Sequence, residues 1–292
     1  MIKIGLIGVG AMGSRIATRL IDHGYELRLH NRSTFKLHEF KDTIAVLSAS
    51  PQELVGEVDL IITMLSDDSA VKSVFTSGKL FKDINGKGKT IIDMSTISPH
   101  TTKEMSQLAS ASGNAWLDAP VLGSTPAAQS GDLVFLVGGS KDKYENVKKI
   151  FRILGRKSIY MGESGSGQAA KLVHNSICGV LLSSMAEAIT LGENLNLDKL
   201  KLLELFKESA FFSPIVQAKL PLIEKDSYEP MFKLELMEKD IKLAIEAYKK
   251  LGVSPNVLKS SSVMFTEANS EGLGNSDCSA VIKYFLEKKV LK

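Results

Sequence analysis

Several short stretches of this chain carry residues whose types and spacing can do chemistry. The first is Gly8-Val9-Gly10-Ala11-Met12-Gly13. A strand pattern, Ile2–Ile7, precedes it and a helix-period segment, Ser14–Asp22, follows. Glycines at this spacing between a strand and a helix form the dinucleotide fingerprint. The first permits a tight turn, the second lets a pyrophosphate approach the backbone, and the third lets helix and strand pack closely. The N–H groups of the helix start then face the phosphates. The plainer alternative is a glycine turn with no ligand; the flanking strand and helix argue against it.

The tip of the second strand selects the cofactor. An NAD site usually has Asp or Glu there to hold the ribose 2′-hydroxyl. Here Glu26–His30 is followed by Asn31-Arg32-Ser33, with Lys36 beyond and no carboxylate at the tip. A guanidinium matches a 2′-phosphate with a rigid fork of donors, and Ser33 and Lys36 can assist. This favours NADP(H), with NAD(H) the alternative if Arg32 only stacks on the adenine.

Two further stretches end strands of the first half, where ligands gather in α/β folds. Asp93-Met94-Ser95-Thr96 is one. Asp118-Ala119-Pro120-Val121-Leu122-Gly123-Ser124 is the other, and its Gly123 and Ser124 can offer backbone N–H groups and a hydroxyl to a carboxylate. Later, Gly165-Ser166-Gly167-Gln168-Ala169-Ala170-Lys171 opens a long helix pattern, and Asn175 follows Lys171 by one turn. Residues four apart share a helix face, so the two side chains point together. An ammonium placed beside a carbonyl that accepts hydride can protonate the nascent alkoxide, and general-acid help of this kind is worth roughly 10²–10⁴ in rate. Partial burial and a second cation would lower a lysine's pKa, and Lys239 is a candidate for that second cation.

Taken together, these motifs and the late segment Phe232-Lys233-Leu234-Glu235-Leu236-Met237-Glu238-Lys239-Asp240 resemble the β-hydroxyacid dehydrogenase family over essentially the whole chain. That group includes 3-hydroxyisobutyrate dehydrogenase, tartronate semialdehyde reductase and the glyoxylate/succinic semialdehyde reductases. The resemblance implies a Rossmann-like domain followed by an all-helical domain, with the active site between them. It implies that Lys171 is the catalytic acid/base, with Asn175 its neighbour at the substrate. It places Thr96, Leu122, Gly123 and Ser124 at the substrate, and Met64, Leu65, Ser95, Thr96 and Lys239 at the cofactor, with Asp240 supporting Lys239. The substrate class it implies is a small hydroxy or oxo acid or semialdehyde. The chain departs from the family where Leu122-Gly123-Ser124 replaces Ser-Gly-Gly or Ser-Gly-Ser, and where His174 stands in place of Asn.

Two other functions compete. A non-catalytic dinucleotide-binding module would commonly lack the lysine, and an imine reductase of this architecture usually replaces it. Lys171 disfavours both. His174, one residue from Asn175, is expected to point elsewhere on the helix.

The elements that must position these groups are visible as changing periodicity. Short apolar runs (Ile2–Ile7, Glu26–His30, Val58–Met64, Thr90–Asp93 and Val134–Val137) alternate with helix-period segments (Ser14–Asp22, Asp68–Phe75 and Pro99–Ala111). Strand–helix alternation predicts an α/β fold with a mostly parallel sheet and helices on both faces. After Tyr160 the pattern is helical: about 165–195, then Asp198–Glu208, Leu234–Leu251 and Pro255–Asn269. The expected domains are 1–163, binding NADP, and 164–292, all helical. At 44% hydrophobic and 24% charged, the composition suits a soluble globular chain with no need of staples. A net charge of +3 with interspersed signs disfavours nucleic acid as a partner. The Ile177–Leu191 run, broken by Ser183, Ser184 and Glu187, is read as a buried helix and not a membrane span. The two cysteines, Cys178 and Cys278, suggest free thiols in a reducing, cytoplasmic setting. No metal-ligand spacing is present. A small carboxylate substrate and a homodimer or homotetramer complete the expectation.

Overall fold

The computed structural model describes residues 2–287. It contains two compact units, one ending at Lys171 and the next beginning at Leu172, somewhat later than the expected 163/164 division.

The first unit is built on nine strands: β1 (Ile4–Ile7), β2 (Leu27–His30), β3 (Val46–Leu47), β4 (Leu60–Thr63), β5 (Thr90–Asp93), β6 (Ala115–Asp118), β7 (Val121–Leu122), β8 (Leu133–Gly139) and β9 (Gly155–Gly162). Their order is β3-β2-β1-β4-β5-β6-β8-β7, with β9 on β8. The pairs from β3 to β6 are parallel, as is β8 with β9, whereas β6 and β7 pair with β8 antiparallel. Interior strands of a parallel sheet are covered on both faces and read as continuous apolar runs. That is the character of IGLI in β1 and LIIT in β4, in which every residue is buried. Side chains alternate between two cores: Leu60, Ile62 and Ile92 face one, and Ile61 and Ile91 the other.

The helices of this unit are α1 (Ala11–Asp22), α2 (Pro51–Gly56), α3 (Asp68–Lys72), α4 (Leu80–Asp83), α5 (Pro99–Ala111), α6 (Thr125–Ser130) and α7 (Lys141–Leu154). Their starts are written in polar caps. Ser50, Asp67, Ser98 and Ser140 each accept an N–H of the first turn, and Pro51 and Pro99 supply preset helical φ. In α7, Tyr144, Val147, Ile150, Phe151 and Leu154 form one buried face. α1 begins at Ala11, earlier than the Ser14 of the pattern, so the end of the glycine motif is itself the first helical turn.

α8 (Ser166–Asn194) is 29 residues long, and the division of the chain falls within it. By length and composition it is the one described helix apolar enough to cross a membrane, yet half of its most apolar window is buried inside the protein. With α9 (Lys199–Lys207), α10 (Pro214–Glu224), α11 (Leu234–Lys250), α12 (Asn256–Ser270) and α13 (Ala280–Glu287) it packs a single apolar core. Leu182, Ile189, Val216, Ile241 and Phe265 lie fully inside it. The expected absence of strands here holds among the described residues, apart from one isolated bridge, Lys233 to Asp277.

Candidate functional site

The glycine turn joins β1 to α1. Gly8 has φ +101°, and a Cβ there would stand 2.3 Å from the Met64 carbonyl oxygen. At Gly13 a Cβ would stand 2.0 Å from the Gly8 carbonyl oxygen, so helix and turn are in direct backbone contact. At Gly10 a Cβ would meet nothing within 4 Å. Gly10 is also the N-cap of α1 and provides no side-chain cap. The turn is closed on two sides and open on the third, and that opening leads to a helix start without a protein cap. This arrangement fits a pyrophosphate. Val9 itself is buried, whereas Ala11 is exposed and Met12 half-buried.

At the tip of β2, Asn31 Oδ1 accepts the Val9 N–H at 2.9 Å, and its Nδ2 donates to the Ser33 carbonyl at 2.9 Å. Asn31 therefore acts mainly as a brace for the glycine turn. Arg32, Ser33 and Lys36 are all exposed beside it and free to meet an anion.

Beyond β4 and β5, Met64, Leu65 and Thr96 are half-buried. Ser95, expected at the cofactor, is 1% exposed, and its hydroxyl accepts the Leu65 N–H at 2.8 Å. Ser95 thus ties the backbone after β4 to the end of β5. Asp93 supports it, accepting from Thr63 Oγ1 at 2.8 Å and from the Ser95 N–H at 3.1 Å. Burial pushes the Asp93 carboxyl up to about 6, against the pull of its Ser95 and Thr63 hydrogen bonds.

Asp118 ends β6 in register with Asp93. Its Oδ1 accepts the Gly165 N–H at 2.9 Å and its Oδ2 the Gln168 N–H at 2.9 Å. Burial raises this carboxyl too, with the backbone donors opposing. Lys171 follows on α8. It is 8% exposed, and its ammonium donates to the Val121 carbonyl at 2.7 Å. That carbonyl adjoins Leu122-Gly123-Ser124, in which Gly123 is exposed at φ +115° and Leu122 and Ser124 are half-buried. Ser124 is the N-cap of α6 yet makes no side-chain cap bond, so its hydroxyl is not spent on its own helix. The sequence-assigned lysine and the sequence-assigned loop thus meet.

In the helical unit Asn175 is 4% exposed and donates through Nδ2 to Asp240 Oδ2 at 2.6 Å. The other Asp240 oxygen faces the Lys239 ammonium at 3.0 Å, as the sequence reading expected. His174 does not point elsewhere: its Nδ1 lies 2.9 Å from Asn175 Oδ1, because an exposed ring can fold back along the helix surface. Sequence reasoning missed Gln168, which is fully buried. Its Oε1 accepts the Ile97 N–H at 3.2 Å and its Nε2 donates to the Ser95 carbonyl at 2.8 Å. The signal available for it was its position three residues before Lys171, on the same face of the helix.

Two family models cover the chain. Residues 3–162 match the NAD binding domain of 6-phosphogluconate dehydrogenase, and residues 165–285 match the domain described as NAD-binding of NADP-dependent 3-hydroxyisobutyrate dehydrogenase. Glyoxylate/succinic semialdehyde reductase 1 of Arabidopsis thaliana is 33% identical over 282 residues, covering 96% of this chain and 97% of its own. The mitochondrial 3-hydroxyisobutyrate dehydrogenase of Homo sapiens is 30% identical over 295 residues, covering 98% and 87%. Among solved structures, 3-hydroxyisobutyrate dehydrogenase of Mycobacterium tuberculosis with L-serine superposes with a TM-score of 0.88 at 27% identity, covering 97% and 99%. The glycine turn, the lysine seated at the Val121 carbonyl and these likenesses lead to one assignment: the chain belongs to the β-hydroxyacid dehydrogenase family, whose members are NAD(P)-dependent oxidoreductases acting on CH–OH groups.

Proposed function

We propose that this protein uses NADPH to reduce a small oxo acid or semialdehyde, of the glyoxylate or succinic semialdehyde kind, with Lys171 as the general acid. The observation that carries this reading is the Lys171 ammonium, buried and held 2.7 Å from the Val121 carbonyl, next to the Leu122-Gly123-Ser124 turn. A reduced nicotinamide, when bound, supplies the hydride. The protein's own part is proton delivery and orientation. As the carbonyl π bond breaks, its oxygen takes a proton from Lys171 Nζ, and the neutral amine regains one from solvent. Gly123 and Ser124 would hold the substrate carboxylate, with Leu122 as an apolar wall. Asn175, one turn along the same helix, keeps a second Nδ2–H beyond the one given to Asp240. Arg32, Ser33 and Lys36, exposed with no carboxylate among them, support NADP(H) over NAD(H).

The reading is tested by NADPH absorbance with a panel of glyoxylate, succinic semialdehyde and related hydroxy acids. Lys171→Ala is expected to lose about 10²–10⁴ in kcat while NADPH affinity stays within a factor of about two. Turnover retained in that variant would reject Lys171 as the acid.

A further inference from the structure

We propose that Asp118 is a positioning residue for Lys171, acting by anchoring the first turn of the helix that carries it. The argument rests on the reading of Lys171 given above, but its geometry stands apart from it.

The start of a long helix has several N–H groups with no intrahelical partner. In α8 two of these, at Gly165 and Gln168, are taken by the two oxygens of one carboxylate, each at 2.9 Å. Asp118 is fully buried, so no water competes for those bonds. A carboxylate at a helix start is also favoured by the helix dipole. The same turn is pressed onto the sheet at Gly167, where a Cβ would stand 2.2 Å from the Leu136 carbonyl oxygen and 2.9 Å from that of Asp118. Gln168 adds a third tie, through its bonds to Ile97 and Ser95. The first turn therefore has little freedom to slide.

Lys171 is three residues past Gln168, and its ammonium returns to the carbonyl of Val121, three residues past Asp118. The two segments thus close a ring. Asp118 holds the backbone of α8, one turn of helix leads to Lys171, the ammonium reaches Val121, and the chain runs back through Pro120 to Asp118. In this ring the carboxylate fixes the helix and the carbonyl fixes the amine. A misplacement of about 1 Å at a reacting group can cost 10²-fold in rate. Asp118 touches neither substrate nor cofactor in this scheme. Its contribution is the place from which the proton is delivered.

The test is Asp118→Asn, which turns an amide NH₂ toward one of the two N–H donors. Two measurements are made on the whole protein. The first is the labelling rate of Lys171 by trinitrobenzenesulfonate, read by peptide mass spectrometry, with buried Lys219 of the helical unit as internal control. The second is kinetics with NADPH and glyoxylate, together with NADPH affinity by fluorescence. Labelling of Lys171 is expected to rise at least about fivefold, with Lys219 unchanged. In the same variant kcat is expected to fall roughly 10–100-fold, while KM and NADPH affinity stay within about twofold, as for a lost positioning contact. Wild-type labelling in Asp118→Asn overturns the proposal, whether or not glyoxylate is turned over. Unchanged turnover in Lys171→Ala overturns the assignment of the acid instead and leaves the labelling result standing. If Asp118→Asn does not fold, Asp118→Glu carries the test: it keeps the charge and shifts the acceptors by one methylene, so faster Lys171 labelling is again expected and an unchanged rate again overturns the proposal.

Discussion

Asn31 Oδ1 accepts the backbone N–H of Val9 at 2.9 Å, which couples the tip of β2 to the glycine turn at the end of β1. The residue that stands where NAD sites usually hold a carboxylate is thus also the brace of the phosphate loop.

Asn31→Asp should keep that brace, because a carboxylate oxygen can still accept the Val9 N–H. It also brings a negative charge to the place a 2′-phosphate would occupy. The expected result is a preference moved toward NADH, by tenfold or more in the ratio of kcat/KM values, since a charge-assisted contact is worth roughly 1.5–3 kcal/mol. Arg32→Ala should weaken NADPH by a similar factor and leave NADH nearly unchanged. Equal loss for both cofactors in Arg32→Ala would show that the guanidinium does not read the phosphate.

Asp240 and His174 grip opposite ends of the Asn175 amide, at 2.6 and 2.9 Å. A bond to a charged acceptor is about twice as strong as a neutral one. Asp240→Ala should therefore lower kcat about tenfold or more, and His174→Ala only a few-fold. His174→Asn restores a donor to the side chain and should recover part of the loss. Steady-state kinetics with NADPH and glyoxylate separate these cases; the reverse ranking would mean that the imidazole, and not the carboxylate, sets the amide.

Much of this frame is legible in the sequence, and the reasons are local. Strands β1, β4 and β5 are short runs rich in isoleucine and flanked by turn residues, the Gly8–Gly13 motif sits between a strand and a helix, and Lys171 and Asn175 share a helix face by spacing alone. Strand β9 is missed because it is only partly buried and carries Arg156 and Lys157, so it has no apolar pattern. Helix α10 is missed because Pro221 lies inside it, where a proline ordinarily argues against a helix. The tasks of Asp118 and Gln168 are hidden for a different reason. Their partners lie 47 to 73 residues away in the chain, and no local period reports a contact that only the folded sheet creates.

Asp93 provides a pH-dependent prediction. Burial raises its carboxyl from 3.8 to about 6, and its Oδ2 is buried with no hydrogen-bond partner among the described residues. Because the folded value is the higher, the native state holds this proton more tightly than the unfolded chain does. Its contribution to stability is present below pH 4 and is lost as pH rises toward and through 6. Asn has no such titration and keeps an oxygen for Thr63 and Ser95. Asp93→Asn should therefore gain on the wild type by roughly 2–3 kcal/mol between pH 4 and pH 8. Urea unfolding followed by the fluorescence of Trp116, buried in the same unit, measures this. A stability difference that does not change with pH would show that Asp93 keeps an ordinary carboxyl.

The helical unit contains the opposite case. Lys219 on α10 and Asp277 ahead of α13 form a fully buried ion pair at 2.8 Å. Asp277 Oδ2 also accepts the N–H groups of Met231 and Phe232, and its Oδ1 accepts from Ser279. Burial alone would raise this carboxyl, but the Lys219 charge and the hydrogen bonds outweigh it, and the group sits below its ordinary value. With the folded value the lower, its stabilisation is present above about pH 4 and is lost as pH falls through the depressed value. Asp277→Asn leaves the Lys219 charge buried without a counter-charge and should cost about 3–5 kcal/mol at neutral pH. Lys219→Met should cost less, because the backbone donors still hold the carboxylate and the thioether fills the space of the lysine stem. The gap between wild type and Asp277→Asn should close on acidification below pH 4, measured by urea unfolding with far-UV circular dichroism. A gap that persists there, or a Lys219→Met cost as large as that of Asp277→Asn, would mean that packing rather than charge supports this end of the helical unit.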